Sequence, residues 1–574
     1  MAIKLVDDQK YALYRGSNEY GMATANMAFF LYEHINDKDA SILDSELYHR
    51  LNQDLIQSSF YKWSMESGVI MNATGSDETI GVAKLLDFDS LYRNRQFEHY
   101  TDFVCKTYPE KHTTSVEEYE STSNLNKVLT RSFTFQVTDA CNLACTYCYQ
   151  INKSTRRMSF ETAKLAVDKL LSGEDGFGDY INPVISPGIV LEFIGGEPFL
   201  EIELIDKIVD YFRMRVIELN HPWAKLFRIS LCSNGVLYKD PRVQRFLQKN
   251  QEFLSFSVTV DGTKELHDSC RVFPDGKPSY HLAHHAALDW MARGYYMGSK
   301  VTIAPGNITY LAESLLQMVK DGYHELNANC VFEEGWTLEH AAELYRQCKV
   351  FTDEFHKCNN AKDFKITLLS NELNSPRMIT NIVNWCGGTG SMLAMDPDGD
   401  LYPCIRYMES SLGNQQKPVI IGNVHNGLLK KQCEQECFYC ISNIDRRTQS
   451  TDQCFYCPIA NECGWCSGYN YQIYGTTNKR ATYICEMHKA RCLAATYYHN
   501  MYCKKTKSSE PVDLWVPRQW AIPIIGEQEY DSLVRLTKEV GGYVNDDATM
   551  VKMTKSLKEL RKDNFSNLEV LSRE

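Results

Sequence analysis

The spacing of apolar and polar residues predicts six strand-then-helix units in the middle of the chain. Short apolar runs alternate with segments of helical periodicity such as Ser159–Leu171, where Ser159 is placed to cap the helix. The predicted strands are Ser132–Val137, Ile189–Ile194, Phe227–Cys232, Leu254–Val260, Lys300–Ala304 and Leu326–Phe332. Six such units imply an α/β fold, an open partial barrel of parallel strands with helices outside it. Ligands of such folds bind at the C-terminal ends of the strands.

Different patterns flank these units. Ala23–Ile35 and Leu47–Ile56 have apolar residues at helical spacing, and the polar stretch Thr113–Asn126 is typical of a linker. Towards the C-terminus, the apolar run Trp520–Ile525 precedes a helical pattern at Tyr530–Val540. Five regions are therefore predicted: 1–130, an N-terminal accessory region; 131–335, the β/α core; 336–380, a helical connector; 381–500, a loop-rich domain; and 501–574, a C-terminal extension.

Composition narrows the class of protein. With 574 residues, 44% hydrophobic and 23% charged, the chain is predicted to be a soluble globular protein of several domains. The net charge of −12 disfavours a nucleic-acid partner, because an acidic surface repels phosphates. The charged first ten residues exclude a signal peptide there, and no apolar run is long enough to cross a membrane. We therefore expect a cytoplasmic protein without a membrane partner.

The chain has 21 cysteines, and 11 of them lie in residues 381–500. Cytoplasmic cysteines are kept reduced, so a clustered set indicates zinc or iron–sulfur chemistry. Directly after the first predicted strand stands Cys141-Asn-Leu-Ala-Cys145-Thr-Tyr-Cys148. Three thiolates can hold three corners of a [4Fe–4S] cluster and leave one iron free to chelate S-adenosylmethionine (SAM). A structural zinc site would need a fourth ligand. Tyr147 is an aromatic suited to packing near the adenine.

In this segment the chain resembles the radical SAM enzymes, over roughly residues 131–335. The motifs that follow the later strands are Gly195-Gly196-Glu197-Pro198, Ser233-Asn234-Gly235, Asp261-Gly262 and His267-Asp268 with Arg271. The resemblance implies that Gly195, Gly196 and Glu197 hold the SAM amino group. It also implies that Ser233 and Asn234 lie near the ribose and carboxylate, and that Arg271 pairs with the carboxylate. Thr302, on the fifth strand, could face the same site, whereas His267 is predicted to be structural or on the surface.

A second cysteine pattern resembles the SPASM domain of peptide-modifying radical SAM enzymes. It reads Cys386-x12-Gly399-x4-Cys404, then Cys454-x2-Cys457-x5-Cys463-x2-Cys466, then Cys485. The spacing between Cys463 and Cys466 is one residue shorter than in the family. The resemblance implies two auxiliary [4Fe–4S] clusters, the first held by Cys386, Cys404 and Cys466 and the second by Cys454, Cys457, Cys463 and Cys485. A substrate thiolate, or one of Cys433, Cys437 and Cys440, could complete the first.

These resemblances imply a strategy in which a 5′-deoxyadenosyl radical removes a hydrogen from a peptide and an auxiliary cluster accepts an electron. Sulfatase-type maturases carry an Asp after the cysteine that matches Cys404, and Ile405 stands there in this chain. That difference disfavours formylglycine formation and is compatible with thioether formation. Glu192–Ile208 and Arg480–Arg491 resemble the maturases whose target peptides contain CXXX repeats. We therefore expect a cysteine-repeat precursor peptide, with flavodoxin or ferredoxin as electron donor and residues 1–130 as leader-recognition region or scaffold.

Alternative functions remain open at this point. A SPASM enzyme that forms C–C links or epimerises residues would have the same clusters and differ only in its product. A cysteine-rich zinc-binding or interaction protein is the alternative outside the enzymes. A nucleic-acid modifier is disfavoured by charge and by the second cysteine pattern. Metal content separates a SPASM enzyme from a zinc-binding protein, because iron–sulfur clusters colour a protein brown and zinc leaves it colourless.

Overall fold

The computed structural model describes residues 27–28, 31–32, 45–66, 82, 84–107, 130–219, 221–333, 335–358, 360–375, 384, 386–429 and 437–545. The predicted linker Thr113–Asn126, most of the predicted helix Ala23–Ile35, and Cys433 lie outside the described residues. By their contacts the residues divide into two compact units. The first unit is Met1–Arg131, Ala163–Val190 and Glu203–Phe227, and the second is Ser132–Thr162, Leu191–Ile202 and Arg228–Glu574.

In the first unit, short N-terminal helices pack on one long helix. The helix Glu46–Ile56 begins after Ser45, whose hydroxyl accepts from the Tyr48 N–H, and it buries Leu47, Leu51 and Leu55 as its periodicity predicts. Phe88 packs edge-on against Tyr211 of the helix Ile202–Glu218, with ring centroids 5.2 Å apart. Packing, rather than intrinsic propensity, stabilises helices of this length.

The strands are short and lie close to the predicted positions. They are β1 Arg131–Thr138, β2 Ile189–Gly195, β3 Phe227–Ser233, β4 Leu254–Val258, β5 Val301–Ile303, β6 Glu325–Leu326, β7 Ala328–Cys330, β8 Lys365–Ile366, β9 Met392–Met395, β10 Asp400–Tyr402, β11 Gly422–Asn423 and β12 Gly427–Leu428. The predicted sixth strand is divided into β6 and β7. The α/β class is confirmed, because the strands alternate with helices and β3 pairs with β4 in parallel.

The main sheet has eight strands in the order β12-β11-β10-β9-β1-β2-β3-β4, while β5 pairs with β7 and β6 with β8. β9 pairs with β1 in parallel, with Ser132 opposite Met392. Strands from the cysteine-rich region thus extend the sheet of the core. The last six residues of β1, 133–138, are buried, as expected of a strand covered on both faces.

The remaining helices are Ser59–Glu66, Phe88–Arg93, Phe97–Thr107, Phe160–Ser172, Phe177–Tyr180, Pro241–Asn250, Lys264–Cys270, Tyr280–Ala292, Leu311–Lys320, Leu338–Cys358, Glu409–Leu412, Phe438–Ser442, Arg446–Gln449, Asp452–Phe455, Ser467–Tyr474, Cys485–Thr506, Arg518–Ile525 and Glu527–Glu539. The predicted cap is present, since the Ser159 hydroxyl accepts from the Thr162 N–H at 3.0 Å. In the described part of the predicted connector, the α-helix Leu338–Cys358 is followed by short 3-10 helices and by β8, which pairs with β6. None of the helices in the described part of the chain has the length and apolarity needed to span a membrane.

Candidate functional site

The first cysteine loop leaves the C-terminal end of β1 and is held by backbone hydrogen bonds. The N–H groups of Ala144 and Thr146 donate to the carbonyls of Val272 and Cys270, at 2.8 and 2.9 Å. The Leu143 N–H donates to Cys141 Sγ at 3.4 Å, so the loop folds around its own first thiol. Cys141, Cys145 and Cys148 are half-buried, and burial raises the pKa of Cys141 and Cys145. Bound iron would lower the pKa of these thiols, because metal coordination favours the thiolate.

The glycine pair that ends β2 packs directly against this loop. A Cβ on Gly196 would lie 2.3 Å from the Ala140 carbonyl oxygen, and one on Gly195 would lie 2.7 Å from that of Thr138. The N–H groups of Gly196 and Glu197 donate to the same two carbonyls. Only glycine allows this approach, which places Glu197 beside the residue that precedes Cys141.

Glu197 connects the ends of β2 and β3. Its fully buried carboxylate accepts from the Ser233 hydroxyl at 2.7 Å and from the N–H groups of Asn234 and Phe199 at 2.8 and 3.1 Å. Burial raises the pKa of Glu197 and the three donors lower it. The Asn234 side-chain amide donates to the side-chain oxygen of Asn142, inside the cysteine loop, at 2.7 Å. The predicted SAM contacts of β2 and β3 therefore meet the loop at one end of the sheet.

Tyr147 links the loop to the ends of β4 and β5. Its hydroxyl donates to the Asp261 carboxylate and accepts from Arg271 at 2.7 Å, and Asp261 also accepts from the Thr302 N–H at 3.0 Å. Burial raises the pKa of Tyr147 and of Asp261, whereas the nearby Arg271 lowers both. The Tyr147 hydroxyl thus uses both its donor and an acceptor position within this network. Arg271 Nε is buried and has no hydrogen-bond partner in the described part of the chain, which fits an anionic ligand such as the SAM carboxylate.

His267, predicted to be structural or on the surface, is buried and has a structural role. Its Nδ1 accepts from the Asp261 N–H at 3.2 Å, and its Nε2 lies 3.1 Å from the Ser279 hydroxyl oxygen. Burial lowers the pKa of His267 to about 3, so the ring is neutral at physiological pH. Its buried contacts hold the turn between β4 and Arg271.

Three further thiols gather around Gly388. A Cβ on this glycine would lie 3.4 Å from Cys404 Sγ, 3.5 Å from Cys386 Sγ and 2.8 Å from Ser467 Oγ. Cys466 precedes that serine and interacts electrostatically with both thiols. Cys386, Cys404 and Cys466 are far apart in the sequence, and the structure brings them together as the SPASM pattern implies.

Arg406 lies beside these thiols and was not singled out by the sequence. Its guanidinium pairs with Glu333 at 2.9 Å and lies 5.5 Å from the Tyr149 ring centroid and 5.8 Å from that of Tyr469. Its charge lowers the pKa of Cys404 and Cys466, against a larger rise from burial. Tyr149 follows Cys148 in the sequence, so the arginine stands between the first cysteine loop and the second group of thiols. The sequence signal that could have identified Arg406 is its position two residues after Cys404.

The last group of thiols lines one cavity of about 320 Å³. Its four cysteines are Cys454, Cys457, Cys463 and Cys485. Burial, together with the smaller effect of the neighbouring thiols, raises the pKa of Cys457 to about 12 and that of Cys485 to about 11. Four thiols around one space match the ligand demand of a [4Fe–4S] cluster.

Cys437 and Cys440 lie on the helix Phe438–Ser442 and its cap. The Cys440 N–H donates to Cys437 Sγ at 3.2 Å. The end of this helix contacts the loop that follows Cys386, because a Cβ on Gly390 would lie 2.7 Å from Ser442 Cα. It stays a prediction that this helix supplies the fourth ligand to the first auxiliary cluster.

The described residues contain no group of three or more His, Cys, Asp or Glu side chains that converge on one metal ion. In a [4Fe–4S] cluster each thiolate binds a different iron, so its sulfurs stand farther apart than the ligands of one zinc ion. The thiol loop, the glycine cradle at Gly388 and the four-cysteine cavity are all compatible with such clusters.

Replacement of Cys457 tests the last group. We expect Cys457→Ser to lower the iron content by about four atoms per chain and to lower the unfolding temperature, because the cluster would join segments distant in sequence. The matched control is Cys358→Ser, an exposed cysteine at the end of the helix Leu338–Cys358. Iron analysis and thermal unfolding under anaerobic conditions measure both effects. Equal iron in the two variants would remove Cys457 from the ligand set.

No protein-family model matches the chain. It is 26% identical over 276 residues to an uncharacterized protein of Methanocaldococcus jannaschii, which covers 47% of this chain and 82% of that protein. It is 24% identical over 318 residues to a serine-type anaerobic sulfatase-maturating enzyme of Bacteroides thetaiotaomicron, which covers 50% of this chain and 72% of the enzyme. Over 136 residues it is 29% identical to a cysteine-type anaerobic sulfatase-maturating enzyme of Clostridium perfringens, covering 22% and 32% of the two chains.

The comparison with solved structures covers more of the chain, with TM-scores below 0.5. Native anSMEcpe with bound AdoMet superposes with a TM-score of 0.43 at 14% identity, covering 66% of this chain and 99% of that one. Streptococcus suis SuiB bound to the precursor peptide SuiA gives a TM-score of 0.43 at 13% identity, covering 81% and 92%.

Proposed function

We propose that this chain, which is a radical SAM enzyme of the SPASM type, modifies a ribosomally made, cysteine-rich precursor peptide and closes intramolecular thioether bonds in it. The observation that carries the proposal is the coexistence of three thiol groups in one compact unit: the loop after β1, the set around Gly388 and the four-cysteine cavity. The curated relatives named as sulfatase-maturating enzymes support a polypeptide substrate.

The residues of the loop and the strand ends would hold the catalytic cofactors. Cys141, Cys145 and Cys148 would bind a [4Fe–4S] cluster, and the buried Nε of Arg271 would meet the SAM carboxylate. Glu197 orients the ends of β2 and β3 through its three accepted hydrogen bonds. When bound, SAM and the cluster supply a 5′-deoxyadenosyl radical that abstracts hydrogen. The protein contributes orientation and the exclusion of water.

The other two thiol groups would hold auxiliary clusters, giving three [4Fe–4S] clusters in all. Cys386, Cys404 and Cys466 would bind the first, whose fourth iron site would be free for a substrate thiolate. Cys454, Cys457, Cys463 and Cys485 would bind the second. Flavodoxin or ferredoxin would deliver electrons, since the reaction needs a one-electron donor.

The surroundings of Cys404 support a thioether product. A carboxylate at position 405 would serve as base for a serine or cysteine substrate, but this chain has Ile405 there. Next to it, the buried Arg406 places a cation near Cys404 and Cys466. A cation in this position favours the thiolate form of an approaching peptide cysteine, which is the nucleophilic form.

Co-expression with a precursor peptide tests the proposal. We expect the peptide mass to fall by two hydrogens per crosslink, and one cysteine per crosslink to resist alkylation. An unchanged mass with every thiol still alkylatable would contradict the proposed function. A mass loss with all thiols free would indicate C–C links instead, and inversion without mass change would indicate epimerisation.

Leader-peptide recognition by residues 1–130 stays a proposal beside this one. Deleting residues 1–129 is expected to weaken leader binding, measured by fluorescence anisotropy, if that region supplies the recognition surface. Unchanged leader binding by the shortened chain would assign the region a scaffold role.

A further inference from the structure

A large cavity lies beside β4 and the segment that precedes β5. None of the thiols assigned above lines it, but Glu462 and Gly464, on either side of Cys463, do. β4 is the last strand of the eight-stranded sheet, and β5 belongs to a separate pair. The cavity has a volume of about 790 Å³, within the range of known ligand sites. Its walls come from β4, the segment before β5, β6 and β7, together with Glu462, Gly464 and Arg491.

Hydrogen bonds connect β4 to β5 and to the segment before it. Asp261, just after β4, accepts from the N–H of Thr302, the middle residue of β5, at 3.0 Å. The Val258 N–H, which also faces β5, donates to the Met297 sulfur at 3.3 Å. The lining runs along β4 from Ser255 to Ser257 and along β7 from Ala328 to Phe332, just after that strand.

One edge of the cavity presents strand backbone. The Ile229 N–H donates to the Phe253 carbonyl and the Thr259 N–H to the Ser233 carbonyl, so β4 residues alternate in facing β3. By this alternation Ser255 and Ser257 face β3, and the N–H and carbonyl of Phe256 face the cavity. An open strand edge is a template to which an extended peptide can add.

The side chains around the cavity fit a peptide main chain. Hydroxyl and amide groups, which can both donate and accept, contribute much of the lining: Ser255, Ser257, Ser299, Asn327, Asn329 and Thr367. The charges are balanced, with Lys300 and Arg491 against Glu325 and Glu462. Glu325 is already paired with Lys365 at 2.9 Å. Apolar residues, among them Phe256, Phe332 and Met487, supply the rest of the lining, against which the side chains of a peptide can pack.

We propose that this cavity binds an extended, non-reacting segment of the peptide substrate, which adds as a strand to the open edge of β4. The inference rests on the proposed function, because it takes the substrate to be a peptide. The lining contains none of the residues proposed to hold SAM, so the bound segment contributes binding energy and takes no part in the chemistry. Such a site holds the substrate while the reacting residues reach the C-terminal ends of the strands.

Two tryptophan variants at the mouth of the cavity test this inference. Ser255 and Asn329 have exposed side chains, so Ser255→Trp and Asn329→Trp obstruct the cavity without overpacking the core. The matched control is Asn426→Trp, exposed in the β11–β12 turn at the opposite edge of the sheet. The probe is a fluorescein-labelled peptide of four Cys-Ala-Ser-Ala repeats, added to the full-length, cluster-loaded enzyme.

We expect each mouth variant to raise the Kd of the probe by about tenfold or more, and the control to leave it unchanged. With a processed peptide, KM should rise while kcat stays the same, because the interaction is equal in ground and transition states. Equal Kd values in all four proteins, or no binding by the wild type, would overturn the inference. Binding that weakens in the mouth variants without any crosslinking by the wild type would contradict the proposed function and support the binding site.

Discussion

Replacement of Cys141, Cys145 and Cys148 together by alanine is expected to abolish SAM cleavage and to lower the iron content by about four atoms, from about twelve per chain. The three thiols leave the end of β1 on one loop, and no other described cysteine lies on that loop. Without them, no side chain of the loop can hold a cluster near Glu197 and Arg271. The other two thiol groups remain, so the protein should stay brown.

Iron and sulfide analysis, electron paramagnetic resonance with and without SAM, and 5′-deoxyadenosine formation measure this effect. The matched control is the Cys232→Ala/Cys270→Ala variant, which removes two half-buried cysteines that belong to none of the three groups. It should keep its iron and its SAM cleavage. Zinc in place of iron, or undiminished SAM cleavage in the triple variant, would overturn the assignment of the loop.

Gly196→Ala is expected to cause almost as large a loss without removing any ligand. Its Cβ would lie 2.3 Å from the Ala140 oxygen, 2.5 Å from the Ala140 carbonyl carbon and 2.8 Å from the Asp139 oxygen. These are backbone atoms, which cannot rotate away, so the start of the cysteine loop must move. Overpacking of this kind costs roughly 1–3 kcal/mol, and here it falls on the segment that positions Cys141.

We therefore expect Gly196→Ala to lose about four irons and most of its SAM cleavage while keeping both auxiliary clusters. Gly306→Ala is the matched control, since a Cβ there would meet no atom within 4 Å and its φ is not in the left-handed region. Full iron content and normal SAM binding in Gly196→Ala would show that the loop tolerates the displacement. The close contact would then be irrelevant to cluster binding.

Several features of the site followed from local sequence. The cysteine spacing at 141–148 and the motif at 195–198 each stand at the end of an apolar run, and the structure places both at C-terminal strand ends. His267 was predicted to be structural or on the surface, and its buried contacts with Asp261 and Ser279 agree with the first of these. Residues close in sequence share one loop or strand end whatever the rest of the chain does, so their positions can be read from local sequence.

Other features could not be predicted because they depend on contacts between distant segments. Arg406 became notable only once the chain placed it against Tyr149, Tyr469 and Glu333. The role of Gly388 became visible only in the structure, where the sulfurs of Cys386 and Cys404 lie next to it. Contacts between distant segments leave no pattern in the sequence, because neither residue of such a pair is marked by the spacing of apolar and polar positions around it.

The sequence by itself determined the α/β class, the positions of the strands and the cysteine motifs, because apolar periodicity and short spacings act within a few residues. The tertiary structure decided that β9 pairs with β1 and that β4 and β5 part to leave a cavity. It also decided that Cys466 joins Cys386 and Cys404. These outcomes depend on which backbone edges and side chains meet across the fold, and packing among remote segments selects them.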